Sequence, residues 1–210
     1  MGLARPTFAQ QTYKPPEVAS SGAVFSPNQP VVDGLFVLFV SLDADGRLYE
    51  TENFGDPGAI GVAAKASVLL EWKFRPAFKD GYEVPSRMTL SFLYRPQRYT
   101  KRVPPKGFSP VLPHGQLESA QDKYVPVGIL SFAYPKYPVN SVFSGSVVVQ
   151  VTVDSAGDVK GVEFLDGMPN FNNLVSVALK RWRFQAATFN GKPITSKTVI
   201  AFAFQPPHSG

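Results

Sequence analysis

The chain says nearly the same thing twice. Residues 72–81 read Trp72-Lys-Phe-Arg-Pro-Ala-Phe-Lys-Asp-Gly81, and residues 182–191 read Trp182-Arg-Phe-Gln-Ala-Ala-Thr-Phe-Asn-Gly191. Upstream, Gly34-Leu-Phe-Val-Leu-Phe-Val-Ser-Leu-Asp43-Ala-Asp-Gly46 lies over Gly145-Ser-Val-Val-Val-Gln-Val-Thr-Val-Asp154-Ser-Ala-Gly157. The offset is 111 residues for the upstream block and 110 for the Trp block, so one residue is lost between them. A unit this long is a whole fold rather than a solenoid brick of about 20–50 residues. The expectation is two copies of one small folding unit. Its function must be one that a duplicated module can serve.

Each unit is small, so its core is only marginally adequate alone. The 17 Phe, 8 Tyr and 2 Trp help, because a buried ring removes roughly 150–250 Å² from water. Docking of the units on each other would help further. The 20 prolines cluster outside the periodic segments and mark linkers. Cysteine is absent, which excludes disulfides, thiolate catalysis and Cys-ligated metals. The 2 histidines, His114 and His208, fall in a linker and near the C-terminus, so a His-based triad or zinc site is not expected. The net charge of +5 reads as an ordinary solubility charge; contact with an anionic polymer or lipid is the alternative. No run of 18 apolar residues exists, so no membrane span is expected in this chain. Thr7-Phe8-Ala9 before Gln10-Gln11 resembles the cleavage end of a secretory leader whose apolar core has been cut away, so an exported protein is expected.

Read along the chain, residues 1–30 form an extended, Pro-rich arm, with Tyr13-Lys14-Pro15-Pro16-Glu17 as a polyproline-like segment. The first unit spans 31–94. Leu35–Leu42 is a covered strand, Asp43–Gly46 a turn, and Arg47–Asn53 the returning strand. Asp56 and Pro57 read as N-cap and first residue of a helix running to about Glu71. Asp80-Gly81 is a second turn. Pro85–Tyr94 is a last strand, alternating through Met88, Leu90, Phe92 and Tyr94. Residues 95–125 form a Pro-rich basic linker. The second unit spans 126–205, with Ile129–Phe132 as a short added strand. It continues with a strand over Ser146–Val153, a return over Asp158–Leu165 and a helix capped at Asn172/Asn173 running to about Arg181. Its last strand is Lys197–Phe204, with Val199, Ala201 and Ala203 on one face and Ile200, Phe202 and Phe204 on the other. The predicted fold class is α+β: two tandem small domains, each an antiparallel β-sheet (hairpin plus final strand) packed against one main helix.

The order strand, turn, strand, helix, Trp-Arg-Phe, turn, strand carries a resemblance. Lys136-Tyr137-Pro138, the hairpin from Gly145 through Asp154 to Gly157, and Ala178-Leu179-Lys180-Arg181-Trp182-Arg183-Phe184 all match it. The second unit resembles the TonB C-terminal domain family over about residues 134–204. The first resembles it more loosely, through Trp72-Lys73-Phe74-Arg75-Pro76-Ala77. Four features differ from the family: its N-terminal membrane helix is not found in this sequence, its long Pro-rich spacer is reduced to Lys14-Pro15-Pro16-Glu17, Lys136 stands where well-known members have a Gln, and the duplication is unusual. The two Trp residues read as core plugs pinning helix to sheet.

The resemblance implies a non-catalytic periplasmic module that binds a protein or peptide of the cell envelope, such as an outer-membrane receptor, by strand addition. It implies no cofactor, no metal and no nucleic acid. The partner strand would add along Lys197, Val199, Ala201 and Ala203, with Arg87, Thr89 and Ser91 as the copied edge. Lys136 and Tyr137 would sit where the peptide begins. Lys197 and Arg87 read as gatekeepers of an apolar edge. The alternative is a structural envelope protein contacting peptidoglycan or an anionic surface through Arg95, Arg98, Lys101, Arg102 and Lys106. In that case the sheet edges pair with each other or in a homodimer. The basic stretch reads first as a solvated linker held open by repulsion. The acid pairs Asp43/Asp45 and Asp154/Asp158 flank turns, where Asp is common for conformational reasons, so no catalytic role is expected of them.

Overall fold

The computed structural model describes residues 12–22, 24–25, 34–54, 58–96, 123–136 and 144–205. The first half opens with two short strands, β1 (Tyr13–Lys14) and β2 (Glu17–Ser20). A hairpin follows, β3 (Gly34–Leu42) and β4 (Leu48–Phe54), then helix α1 (Gly58–Glu71). Three short strands, β5 (Lys73–Arg75), β6 (Ala77–Lys79) and β7 (Tyr82–Val84), lead to the long β8 (Ser86–Pro96). The second half runs in the same order. It comprises β9 (Tyr124–Val125), β10 (Gly128–Ser131), β11 (Gly145–Val153), β12 (Val159–Asp166), α2 (Pro169–Leu179), β13 (Arg183–Gln185), β14 (Ala187–Phe189), β15 (Lys192–Ile194) and β16 (Ser196–Gln205).

The two hairpins are closed by the same chemistry. Asp43 Oδ1 accepts from the amides of Asp45 and Arg47, and Asp154 Oδ1 from those of Ala156 and Asp158. The turn acids therefore shape backbone. Those bonds, led by the one from the Asp158 amide, hold the Asp154 carboxyl below its ordinary value. Gly157 is forced: its φ is +88°, and a Cβ there would stand 2.5 Å from the Phe184 carbonyl oxygen.

Two expected boundaries move. The second helix begins at Pro169, not at Asn172/Asn173, with Met168 as its N-cap residue. Proline at the first helical position forfeits no hydrogen bond. The earlier start also lets Phe171 enter the core, where it meets Phe204 at 4.4 Å between ring centres. The Asp56–Pro57 cap lies outside the described residues. The expected arm 1–30 contributes β1 and β2, which pair with β6 and β5. In the second half β9 and β10 pair with β14 and β13 in the corresponding way.

The larger difference is in the sheet. Two separate sheets were the leading expectation; the alternative, edges that pair with each other, is what is found, in one six-stranded sheet that runs β12-β11-β16-β8-β3-β4. Its centre is a parallel ladder between the two last strands, from Leu90 opposite Val199 to Pro96 opposite Gln205. Because the two halves' strands run outward from this ladder in mirrored order, a half-turn about an axis along it relates them, and that rotation exchanges the faces of the sheet. The core follows this rule. Ala64 and Val68 of α1 pack with Leu38, Val40, Leu90 and Phe92, a cluster that also takes in Val148, Val199 and Ala201. Phe171, Val175 and Leu179 of α2 pack on the opposite face with Val149, Val151 and Phe202, together with Val37 and Phe39. Neighbouring residues of one strand enter different clusters because side chains alternate. Both faces are thus covered, which is why β3, β11 and most of β16 read as nearly unbroken apolar runs, whereas β8 alternates and buries Thr89 and Ser91 between its apolar residues. No helix among the described residues is long and apolar enough to cross a membrane.

Candidate functional site

The residues expected at open sheet edges meet one another. Val199, Ala201 and Ala203 stand opposite Leu90, Phe92 and Tyr94, and Ser91 stands opposite Ile200. All of these are buried. Thr198 Oγ1 donates to the Thr89 carbonyl at 2.8 Å, and Thr89 Oγ1 donates to the Val127 carbonyl at 2.6 Å. The last-strand edge on which strand addition was expected is occupied by its own counterpart. A partner strand cannot add at either edge while this seam holds.

The two expected gatekeepers are ion-paired. Arg87 is buried, reaches Glu52 at 2.6 Å and lies over the Phe39 ring. Lys197 pairs with Glu17, which also takes Arg75 at 2.9 Å. Glu17 sits on β2, so one carboxylate ties the first half's own Arg75 to the second half's Lys197. Burial pushes this carboxyl up, but the hydrogen bonds from Lys197 and Arg75 outweigh it and hold the group below its ordinary value. Nearby, Val18 donates its amide to Gln150 Oε1 at 3.0 Å, so β2 rests on the second half's strands. The Val127 carbonyl accepts from Thr89 of the first half in return. Each half's leading segment covers the other's sheet.

Of the other expected site residues, Lys136 is exposed and Tyr137 lies outside the described residues. Arg95 joins the seam by its backbone, opposite Phe204. Arg98, Lys101, Arg102 and Lys106 lie outside the described residues. No group of three His, Cys, Asp or Glu that could hold a metal occurs among the described residues.

The two Trp residues act as plugs, with one difference. Trp182 lies 6.0 Å from Phe202 and donates Nε1 to the Ala133 carbonyl at 3.0 Å. Trp72 lies 5.6 Å from Phe92, but its buried Nε1 has no partner among the described residues.

With the seam closed, the sheet ends at β4 and β12. Beside each end is a cleft between the hairpin return, the helix end and the Trp. The one at β12 has a volume of about 550 Å³, and the one at β4 about 400 Å³. The outer strands were legible as returning strands. Their standing as the free edges depends on the seam, which no local pattern encodes.

Comparison with known proteins places part of this chain. Residues 131–206 match the Gram-negative bacterial TonB protein C-terminal family. The matched stretch holds β11, β12, α2 and β16, the elements that build the second half's share of the sheet. No curated protein matches the chain.

Proposed function

We propose that this chain is a non-catalytic periplasmic protein-binding module. In it, a TonB C-terminal-like second half is locked to a diverged copy of itself. The family match over 131–206 supports protein binding at the envelope. The observation that carries the reading of its form is the parallel ladder between β8 and β16. A lone unit would leave its last strand as a long apolar edge, which is a site for strand addition and an aggregation hazard alike. Here each copy closes the other's edge, and the lead-in strands close the faces. The product is a rigid platform whose partner contacts fall on surfaces other than the last strands.

A second reading has the same seam in its favour: a structural envelope protein whose edges pair internally and whose basic linker contacts the cell wall. One experiment separates the two. The chain is expressed in a Gram-negative periplasm with photo-crosslinkers at exposed positions, and the purified chain is sedimented with isolated peptidoglycan. A discrete, saturable protein adduct supports the binding module. Salt-labile sedimentation with the wall and no protein adduct would overturn it in favour of the structural reading.

A further inference from the structure

The two free ends of the sheet are not equivalent, and the difference points to one of them. On the α2 side of the sheet, Val149 and Val151 stand opposite Phe164 and Val162 of β12. On the α1 side, Leu38 and Val40 stand opposite Asn53 and Thr51 of β4. The helix-facing row is thus apolar at the β12 end and polar at the β4 end. Phe164 is 38% exposed and Val162 37%, on a terminal strand that pairs on one side only.

The adjoining clefts differ in the same way. The β12 cleft is floored by Leu179 and Trp182 and rimmed by Lys160, Lys180 and Arg183, with Asp158 as its sole carboxylate. Lys160 pairs with Asp154 at 3.1 Å, whereas Lys180 is exposed and makes no ion pair among the described residues. In the β4 cleft, Arg47 is tied to Asp45 at 2.6 Å, leaving Lys73 as the cation over. One end therefore has apolar seats on its strand and surplus positive charge beside it. The other has Thr51 and Asn53 in that row, exposed Tyr49 and Phe54 elsewhere on its strand, and Lys73 alone as its surplus cation.

We propose that the outer edge of β12 takes an extended acidic peptide segment of a protein partner as a seventh strand. Main-chain bonds to β12 hold it in place. Its alternate apolar side chains rest on Val162 and Phe164, and its carboxylates reach the Lys160, Lys180 and Arg183 rim. Main-chain pairing supplies the affinity in such additions and alternate side chains the selectivity; the charged rim sets sign preference and salt dependence. The proposal rests on the protein-binding reading above but names a different edge from the last strands.

The test uses the purified full chain and two eight-residue synthetic peptides, the length of β12. Both alternate valine with threonine; one ends in two aspartates and the other in two lysines. The aspartate peptide is expected to slow amide exchange over 159–166, and to bind more weakly as salt rises. Val162→Lys, at an exposed position, is expected to abolish the protection, and Lys180→Glu to weaken binding roughly fivefold or more. Thr51→Lys on β4 is expected to change nothing. Equal binding of the lysine peptide, protection at β4, or no protection at 159–166 with the aspartate peptide would overturn the proposal. So would protection of β12 by anionic vesicles or cell-wall fragments but not by the peptide. A photo-crosslinked envelope adduct that survives Val162→Lys would sink this edge and leave the binding module standing.

Discussion

Thr198 of the second half donates its hydroxyl to the carbonyl of Thr89 in the first, at 2.8 Å. The bond stands beside the start of the parallel ladder that turns two three-stranded sheets into one. Because both faces of this ladder are buried, neither half can lose its last strand without exposing core of the other. The amides of β8 and β16 are therefore expected to exchange late and together, at rates set by global unfolding. Hydrogen exchange read over 86–94 and 197–204 checks this; fast exchange in either stretch would mean the seam is open in solution. Ala201 is fully buried opposite Phe92. Ala201→Asp should destabilise the whole chain by about 3 kcal/mol or more, because a carboxylate there has no cation to meet.

The Trp pair gives an asymmetric test. Replacing either indole by a phenyl ring removes similar volume from a buried site. Trp182→Phe also leaves the buried Ala133 carbonyl without its donor, which costs about 1–3 kcal/mol further. Trp72→Phe removes an Nε1 with no partner among the described residues. Trp182→Phe is expected to be the more damaging substitution, read as the difference in urea midpoint at unchanged slope. Equal losses would show that the Ala133 bond adds nothing.

The turns give a second paired comparison. Gly157 and Gly191 both have positive φ, +88° and +74°. An alanine at either position bears about 1–2 kcal/mol of left-handed strain. At Gly191 nothing lies within 4 Å of the new Cβ, whereas at Gly157 it meets the Phe184 carbonyl oxygen at 2.5 Å. That oxygen belongs to backbone and cannot swing aside. Gly157→Ala should cost clearly more than Gly191→Ala, by thermal unfolding of both variants. A Gly157→Ala variant as stable as Gly191→Ala would show that the turn gives way.

Much of the fold was legible because its signals are local. Leu35–Leu42 read as a covered strand and Ser146–Val153 as a strand, Asp43–Gly46 and Asp154–Gly157 as turns, and Trp182 as a plug. The joining of the sheets was legible only as an alternative, that the edges pair with each other, because parallel pairing between residues 109 apart in sequence leaves no local trace. One clue was available: Val199, Ala201 and Ala203 are apolar on the face away from α2, so that face had to be covered by something. The lead-in strands had a fainter signal. Tyr13-Lys14-Pro15 recurs as Tyr124-Val125-Pro126, and Ser20 as Ser131, but prolines at 15 and 16 masked two short strands as a loose arm. The candidate edge at β12 was hidden for the same reason as the seam, since which strands end a sheet is decided only when all are paired.

Glu17 supplies the pH prediction. It binds Arg75 of its own half and Lys197 of the other, and these bonds hold its carboxyl below the ordinary value despite burial, which pushes the other way. A carboxyl held lower in the folded chain than in the unfolded one adds stability at neutral pH. That contribution is complete above the unfolded value and fades as the pH falls through the folded one. Glu17→Gln keeps the shape and removes the charge. Because Arg75 is 62% exposed, its share is largely screened, and the Lys197 contact carries most of the effect. The expected loss is about 1–2 kcal/mol at pH 7, shrinking towards zero as the pH falls through the folded carboxyl's lowered value. The difference between wild type and variant isolates Glu17. Denaturant unfolding of both across this range gives the curve. A gap between them that stays constant with pH would mean that the carboxylate's charge does not set the cost.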